Sequence, residues 1–171
     1  RSLLTKCDTI LIGGAMAYTF LAAEGHKTGK SLVEPDLFET ARALRKDAGN
    51  KLRLPVDSLA AAEISSHTTP VVCSSDIPPD LMGLDIGPQS VKAFSTEIAS
   101  SKTIVWNGPM GVFETPPFDT GTLAMARAIA TRCCCPPDNR SGCSSTLSAR
   151  PNRASSSRAS ASAVFLSTPC T

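Results

Sequence analysis

The sequence predicts an α/β domain built on a mostly parallel sheet, followed by a tail that is a different kind of chain. Three observations predict this. Short apolar runs stop abruptly at glycine or proline, as buried strands do at tight turns. Stretches of about 10–15 residues with helical spacing lie between them, the alternation of strands and crossover helices. The composition then changes abruptly after Arg132.

Thr9-Ile10-Leu11-Ile12 is an apolar run ended by Gly13-Gly14 and reads as a buried strand. Ala15 to Glu24 follows with helical composition, Met16, Phe20 and Leu21 on one face and Gly25 as its stop. Pro35 opens a second helix, Asp36 to Ala48, with Leu37, Ala41 and Leu44 in a stripe before Gly49-Asn50. Leu52 to Val56 and Val71 to Cys73 read as strands. Gln89 to Ser100 is helical, its Val91, Phe94 and Ile98 at i, i+3 and i+7. Thr103-Ile104-Val105-Trp106 is the clearest strand, cut off by Asn107-Gly108-Pro109, and a last helix spans Phe118 to Arg132. In parallel sheets ligands bind beyond the carboxyl ends of strands, which singles out the loops after Ile12 and Trp106.

The chain of 171 residues carries a net charge of +2 and is 42% hydrophobic, but these totals blend two unlike parts. Residues 1–132 hold 13 Lys+Arg against 14 Asp+Glu, so the basic excess belongs to residues 133–171. That tail has 10 serines in 39 residues and five of the seven cysteines, and its only large apolar residues are Leu147, Val164, Phe165 and Leu166. It buries too little apolar surface to offset ordering entropy and is expected to be disordered. Charge this small argues against a nucleic-acid partner. No run approaches the ~18 apolar residues of a membrane span.

Several features read blandly. Gly25-His26-Lys27-Thr28-Gly29-Lys30-Ser31 resembles a phosphate-binding P-loop, but it has three residues between its glycines where four are needed, and a helix precedes it. It reads as a surface turn. His26 and His67 fall in polar turns, and Cys7 and Cys73 read as ordinary buried thiols. Cys133-Cys134-Cys135 lacks C-x-x-C spacing and a nearby histidine, so no metal site is assigned there. The sequon Asn139-Arg140-Ser141 carries no weight without a secretory signal.

Three loops can carry chemistry. Gly13-Gly14 leaves backbone open to a planar ring or a phosphate, though a plain strand-to-helix turn explains it as well. In Asn107-Gly108-Pro109-Met110-Gly111-Val112-Phe113-Glu114, Asn107 donates and accepts at a strand tip and Glu114 suits a ribose diol. An ordinary turn with a solvated glutamate is the alternative. Met82-Gly83-Leu84-Asp85-Ile86-Gly87-Pro88 reads as a glycine-opened loop or as a helix-capping turn on Asp85 and Pro88.

Together with Leu54-Pro55-Val56-Asp57, and in this order, these motifs resemble the carboxy-terminal, nucleotide-binding lobe of the phosphoglycerate kinase family. The resemblance runs from about Leu3 to Arg132. It implies a Rossmann-like three-layer lobe, incomplete here, and phosphoryl transfer between 1,3-bisphosphoglycerate and ADP with Mg²⁺, giving 3-phosphoglycerate and ATP in glycolysis. It further implies that Gly13 and Gly14 form one wall of an adenine slot and Gly83 and Leu84 the other, with Val112 and Leu32 adding apolar contact. Glu114 would hold the ribose hydroxyls, Asn107 would reach the phosphates, and Gly108 and Pro109 would shape that turn.

The sequence departs from the family pattern in three places. The amino-terminal lobe, with its basic 3-phosphoglycerate site, and the lysine-bearing segment expected before Arg1 are not in this sequence. After Arg132, where a strand and a Gly-Gly-Gly-Asp loop holding phosphate and metal are expected, the chain reads Cys133-Cys134-Cys135-Pro136-Pro137. The tail reads as an out-of-frame translation, since Ser155-Ser156-Ser157-Arg158-Ala159 is what Glu-Leu-Leu-Glu-Gly codons can yield one base late. No catalytic residue or metal ligand is therefore assigned, and the expected ligand is Mg-ADP or Mg-ATP. Three readings follow: a kinase fragment inactive by itself, a non-catalytic adenine-nucleotide-binding module, or a non-functional truncated product. A cytoplasmic monomer is expected, an organellar isoform being the alternative.

Overall fold

The computed structural model describes residues 2–133 and 161–167. In chain order the elements are β1 (Thr9–Gly13), α1 (Gly14–Ala23), α2 (Phe38–Ala48), β2 (Leu52–Arg53), β3 (Ser58–Ala61), β4 (Val71–Cys73), β5 (Met82–Ile86), α3 (Pro88–Ser100), β6 (Thr103–Asn107), α4 (Thr120–Cys133) and β7 (Ala161–Ser167). They make a four-stranded sheet of order β2-β1-β7-β6 and a three-stranded sheet of order β4-β3-β5.

The layering follows from the two-residue period of β1, which sends alternate side chains to opposite faces. Leu11 is fully buried in a cluster with Phe94 and Ile98 of α3 and Met125 and Ile129 of α4. Ile10 and Ile12 pack on the other face with Ala17 and Phe20 of α1 and Ala41 and Ala48 of α2. Helices thus cover both faces, the three-layer α/β architecture expected. Each fully buried aliphatic side chain contributes about 1.5–3 kcal/mol, so β1, with three, anchors the sheet. The helix α1 is buried nearly all round rather than along one face: Phe20 serves the cluster behind β1, while Tyr18 and Leu21 serve a third cluster with Ala60, Cys73 and Ile77.

Strand direction has one unexpected feature. β1 pairs in parallel with β2, while β7 runs antiparallel to both its neighbours, β1 and β6. The strands β2, β1 and β6 therefore share one direction, and β7 fills the gap between two of them. Within the tail, where disorder is expected, Ala161–Ser167 departs from that expectation. The physical reason is twofold: Ala-Val-Phe-Leu is the tail's one apolar run, and β1 and β6 each offer it a row of backbone donors and acceptors. The readings of Cys134 and Cys135, of the sequon and of the tail's out-of-frame origin lie outside the described residues. A proline at Ala163, which pairs with Ile12 on one side and Asn107 on the other, removes a ladder donor from this central strand. Ala163→Pro is expected to cost about 3 kcal/mol and to lower the thermal midpoint; an unchanged midpoint would mean that β7 adds nothing to the fold.

Three other boundaries differ from expectation. The strand foreseen over Leu52 to Val56 ends at Arg53, because Pro55 has no N–H and the Val56 N–H turns to the Ser90 Oγ at 2.9 Å. The second helix begins at Phe38, after a single 3₁₀ turn over Pro35–Leu37, and the last begins at Thr120. Met82–Ile86 is a strand rather than a loop, paired antiparallel to β3 with an irregularity between Leu59 and Ala60. Among the described residues no helix is long and apolar enough to cross a membrane.

Candidate functional site

Because β1 and β6 run in one direction, Gly13 and Asn107 finish at the same edge of the sheet, and the segments following them meet there. The Gly14 N–H donates to the Met110 carbonyl at 2.9 Å, and the Val112 N–H donates to the Leu84 carbonyl at 2.8 Å. Two backbone hydrogen bonds thus join three motifs far apart in sequence: the end of β1, the middle of β5 and the Asn107–Glu114 segment.

The glycines turn out to serve packing within the chain. A Cβ on Gly13 would collide with the Met110 thioether, and Met110 is itself fully buried. Gly14 has φ +63°, the left-handed region that glycine favours. A Cβ on Gly83 would strike the Tyr18 ring, which backs that strand from α1, while the Gly83 N–H donates to the Ser31 Oγ at 2.8 Å. That bond sets the exposed Leu32 next in chain to the partner of Gly83. Leu84 is buried with Ala61 and Phe118, and half-buried Val112 packs beside it. Asn107 and Glu114 are exposed, Gly108 takes φ +80°, and Pro109 is half-buried. The expected site residues are thus gathered on one side of the fold, with Asn107 and Glu114 open to solvent.

Sequence reasoning missed the group beneath them. Asp85 is 1% exposed. Its Oδ2 accepts the Gly121 N–H at 2.6 Å, and its Oδ1 accepts the Ile86 N–H at 2.8 Å. Burial pushes its carboxyl up to about 7, against the pull of the Gly121, Ile86 and Thr120 hydrogen bonds; the nearby charge of Asp119 adds to the rise. A folded-state value above the unfolded carboxylate value means that the folded chain holds the proton more tightly. The stability tied to that proton is complete below about pH 4 and is lost as pH rises through about 7. Asp85 therefore caps α4 and not the helix that follows it in sequence. The start of α3 is capped by Asp57, whose carboxylate accepts the Gln89 and Ser90 N–H groups at 2.9 and 2.7 Å. Two aspartates spaced for turns are both buried caps, which only their packing reveals.

The P-loop-like segment is a turn, as its spacing predicts. The Lys27 N–H donates to Asp76 Oδ1 at 3.0 Å, the Lys30 N–H donates to the Leu81 carbonyl at 2.8 Å, and a Cβ on Gly29 would meet two carbonyl oxygens. His26 is paired with Asp76 at 3.3 Å. Burial pushes the thiols of Cys7 and Cys73 up, away from the reactive thiolate. Among the described residues no group of three or more His, Cys, Asp or Glu could hold a metal ion.

The family model described as phosphoglycerate kinase matches residues 1–136. Similar curated proteins include the phosphoglycerate kinases of Lactobacillus acidophilus, 54% identical over 130 residues, and of Lactobacillus delbrueckii subsp. bulgaricus, 53% identical over 129. These matches cover 76% and 75% of this chain, which spans 32% of the length of each relative. Among solved structures, phosphoglycerate kinase from Coxiella burnetii superposes with a TM-score of 0.73 at 39% identity, covering 75% of this chain and 34% of that one. The Pyrococcus horikoshii enzyme gives 0.63 at 27% identity, covering 72% and 32%.

Proposed function

The chain belongs to the phosphoglycerate kinase family, and from that premise we propose that residues 1–132 are a nucleotide-binding lobe of such a kinase. In this reading the adenine of ADP or ATP lies between the Gly13-Gly14 and Gly83-Leu84 segments, flanked by Val112 and Leu32. Glu114 accepts from the ribose hydroxyls, Asn107 reaches the phosphates, and Gly108 and Pro109 hold the turn that aims it. The observation that carries the reading is the pair of backbone bonds, Gly14 to Met110 and Val112 to Leu84, joining motifs from both sheets through the Asn107–Glu114 segment.

The reaction proposed for the whole enzyme moves a phosphoryl group from the acyl phosphate of 1,3-bisphosphoglycerate to ADP, giving 3-phosphoglycerate and ATP. Phosphoryl transfer depends on positioning and on stabilising spread negative charge. The residues named above serve positioning: a slot fixes the base, a carboxylate fixes the sugar, and Asn107 orients the phosphates. Mg²⁺, arriving with the nucleotide, supplies charge neutralisation. Among the described residues no group of three or more His, Cys, Asp or Glu could hold it. We accordingly propose that this chain alone binds nucleotide without catalysing transfer; ATP formation from 1,3-bisphosphoglycerate and ADP in a coupled assay would contradict that.

Calorimetric titration with Mg-ADP tests the site directly. Glu114→Ala is expected to weaken binding about tenfold, the loss of one charge-assisted hydrogen-bonding group. Because Glu114 is exposed, the urea midpoint is expected to stay in place. Equal affinity in the parent and variant would remove the ribose role.

A further inference from the structure

Resting on that reading, we infer that Asp85 is the positioning residue of the cleft: its buried carboxylate holds the Asn107–Glu114 segment and the start of α4 against the Gly83-Leu84 wall. Three contacts carry the inference. Gly121, in the first turn of α4, donates its N–H to Asp85 Oδ2 at 2.6 Å. Gly111 sits so close that a Cβ there would collide with Asp85 Oδ1 and the Leu84 carbonyl, and a Cβ on Gly121 would collide with the same carboxylate. The bond from the Val112 N–H to Leu84 at 2.8 Å lies immediately beside it. One carboxylate therefore sets how near the loop, the helix and the strand stand to each other. Two glycines on different elements both leave room for it.

The site's response to pH follows from the same contacts. As a carboxylate, Asp85 offers acceptors to both the Gly121 and Ile86 N–H groups. Protonation turns one oxygen into an O–H donor, leaves acceptor capacity on the carboxyl and removes a charge that burial disfavours. The ionisable groups bearing on it are Asp119, from the segment before α4, and Tyr18, from α1, whose hydroxyl donates to the Asp85 carbonyl at 3.4 Å. Burial pushes the Tyr18 phenol well above its usual range, so it stays neutral and leaves Asp85 to titrate. Because burial raises this carboxyl, the packed cleft holds the proton more tightly than an opened one, and the packed arrangement is favoured as pH falls through about 7.

The test uses the full chain and Asp85→Asn, an isosteric replacement with one acceptor oxygen. Mg-ADP affinity is measured from pH 5.5 to 8.5, with amide exchange of Gly111, Val112 and Gly121 alongside. The parent's amide protection, corrected for intrinsic exchange, is expected to rise as pH drops through 7. In Asp85→Asn the affinity is expected to be about tenfold weaker and the amide protection flat with pH, while far-ultraviolet circular dichroism shows the fold retained. A folded variant with the parent's affinity and pH profile would overturn the inference. Where the parent binds no Mg-ADP, the nucleotide reading fails by itself, and Asp85 is judged by exchange alone. Positioning requires the three amides to lose protection in the variant, and unchanged protection overturns it. If the variant fails to fold, the parent's amides decide: protection that rises as pH drops through 7 supports the inference, and protection that falls or is independent of pH overturns it.

Discussion

Asp57→Ala is expected to cost about 3 kcal/mol and to lower the urea midpoint with the slope unchanged. Asp57 is 2% exposed and stands where the chain leaves the first sheet layer for the second. Its Oδ2 takes the Gln89 N–H at 2.9 Å, and its Oδ1 takes the Ser90 N–H at 2.7 Å and the Ser90 hydroxyl at 2.6 Å. Gln89 and Ser90 lie in the first turn of α3, where backbone donors have no partner inside the helix. An ordinary capping residue stands next to its helix and is worth about 1 kcal/mol. This one comes from another segment, so truncation leaves the Gln89 and Ser90 amides without their acceptor, while the Ser90 hydroxyl keeps the Asp57 carbonyl at 3.0 Å. Gly87 leaves room for the carboxylate, and its N–H donates to the Asp57 carbonyl at 3.0 Å. A midpoint equal to the parent's would show that water replaces the carboxylate at little cost.

Gly111→Ala is expected to reduce Mg-ADP affinity at least about thirtyfold while costing about 1–3 kcal/mol of stability. The added methyl would enter space held by the Asp85 carboxylate and the Leu84 carbonyl oxygen. Neither can retreat: Asp85 is held by Gly121 and Ile86, and the Leu84 carbonyl holds Val112. The loop must move instead, and Asn107 and Glu114 move with it. Glu114→Ala changes affinity alone, whereas Gly111→Ala changes affinity and stability together. Calorimetry and urea denaturation on both variants separate a ligand contact from a scaffold contact. Parent-like affinity in Gly111→Ala would show that the loop adjusts freely.

Much of the fold is legible in local pattern. β1 and β6 are apolar runs ended by Gly13-Gly14 and Asn107-Gly108-Pro109, and each turns where those residues stop it. α3 puts Phe94 and Ile98 into the core as their spacing predicts. β3 was not legible, because Ser-Leu-Ala-Ala has little strand preference and is held by partners on both sides. Nor was β5: Gly83 and Asp85 weaken any strand pattern, and they fit only because Tyr18 and the start of α4 lie against them. The tail's strand was hidden by its serine-rich surroundings, and the gap it fills exists only once β1 and β6 are side by side.

The sequence by itself determined the family, the alternation of strands and helices, and the residues gathered at the sheet edge. Each of those depends on local order: periodicity, turn residues and motif succession. Only the tertiary structure decided what the small residues make room for and what the buried acids do. Glycine in a sequence marks the absence of a side chain, and the neighbour that needs the space comes from another segment: Met110 at Gly13, Tyr18 at Gly83, Asp85 at both Gly111 and Gly121. An aspartate likewise shows its charge in the sequence and its burial only in the fold. Desolvation and donated N–H groups, both products of packing, make Asp57 and Asp85 buried helix caps rather than solvated turn residues.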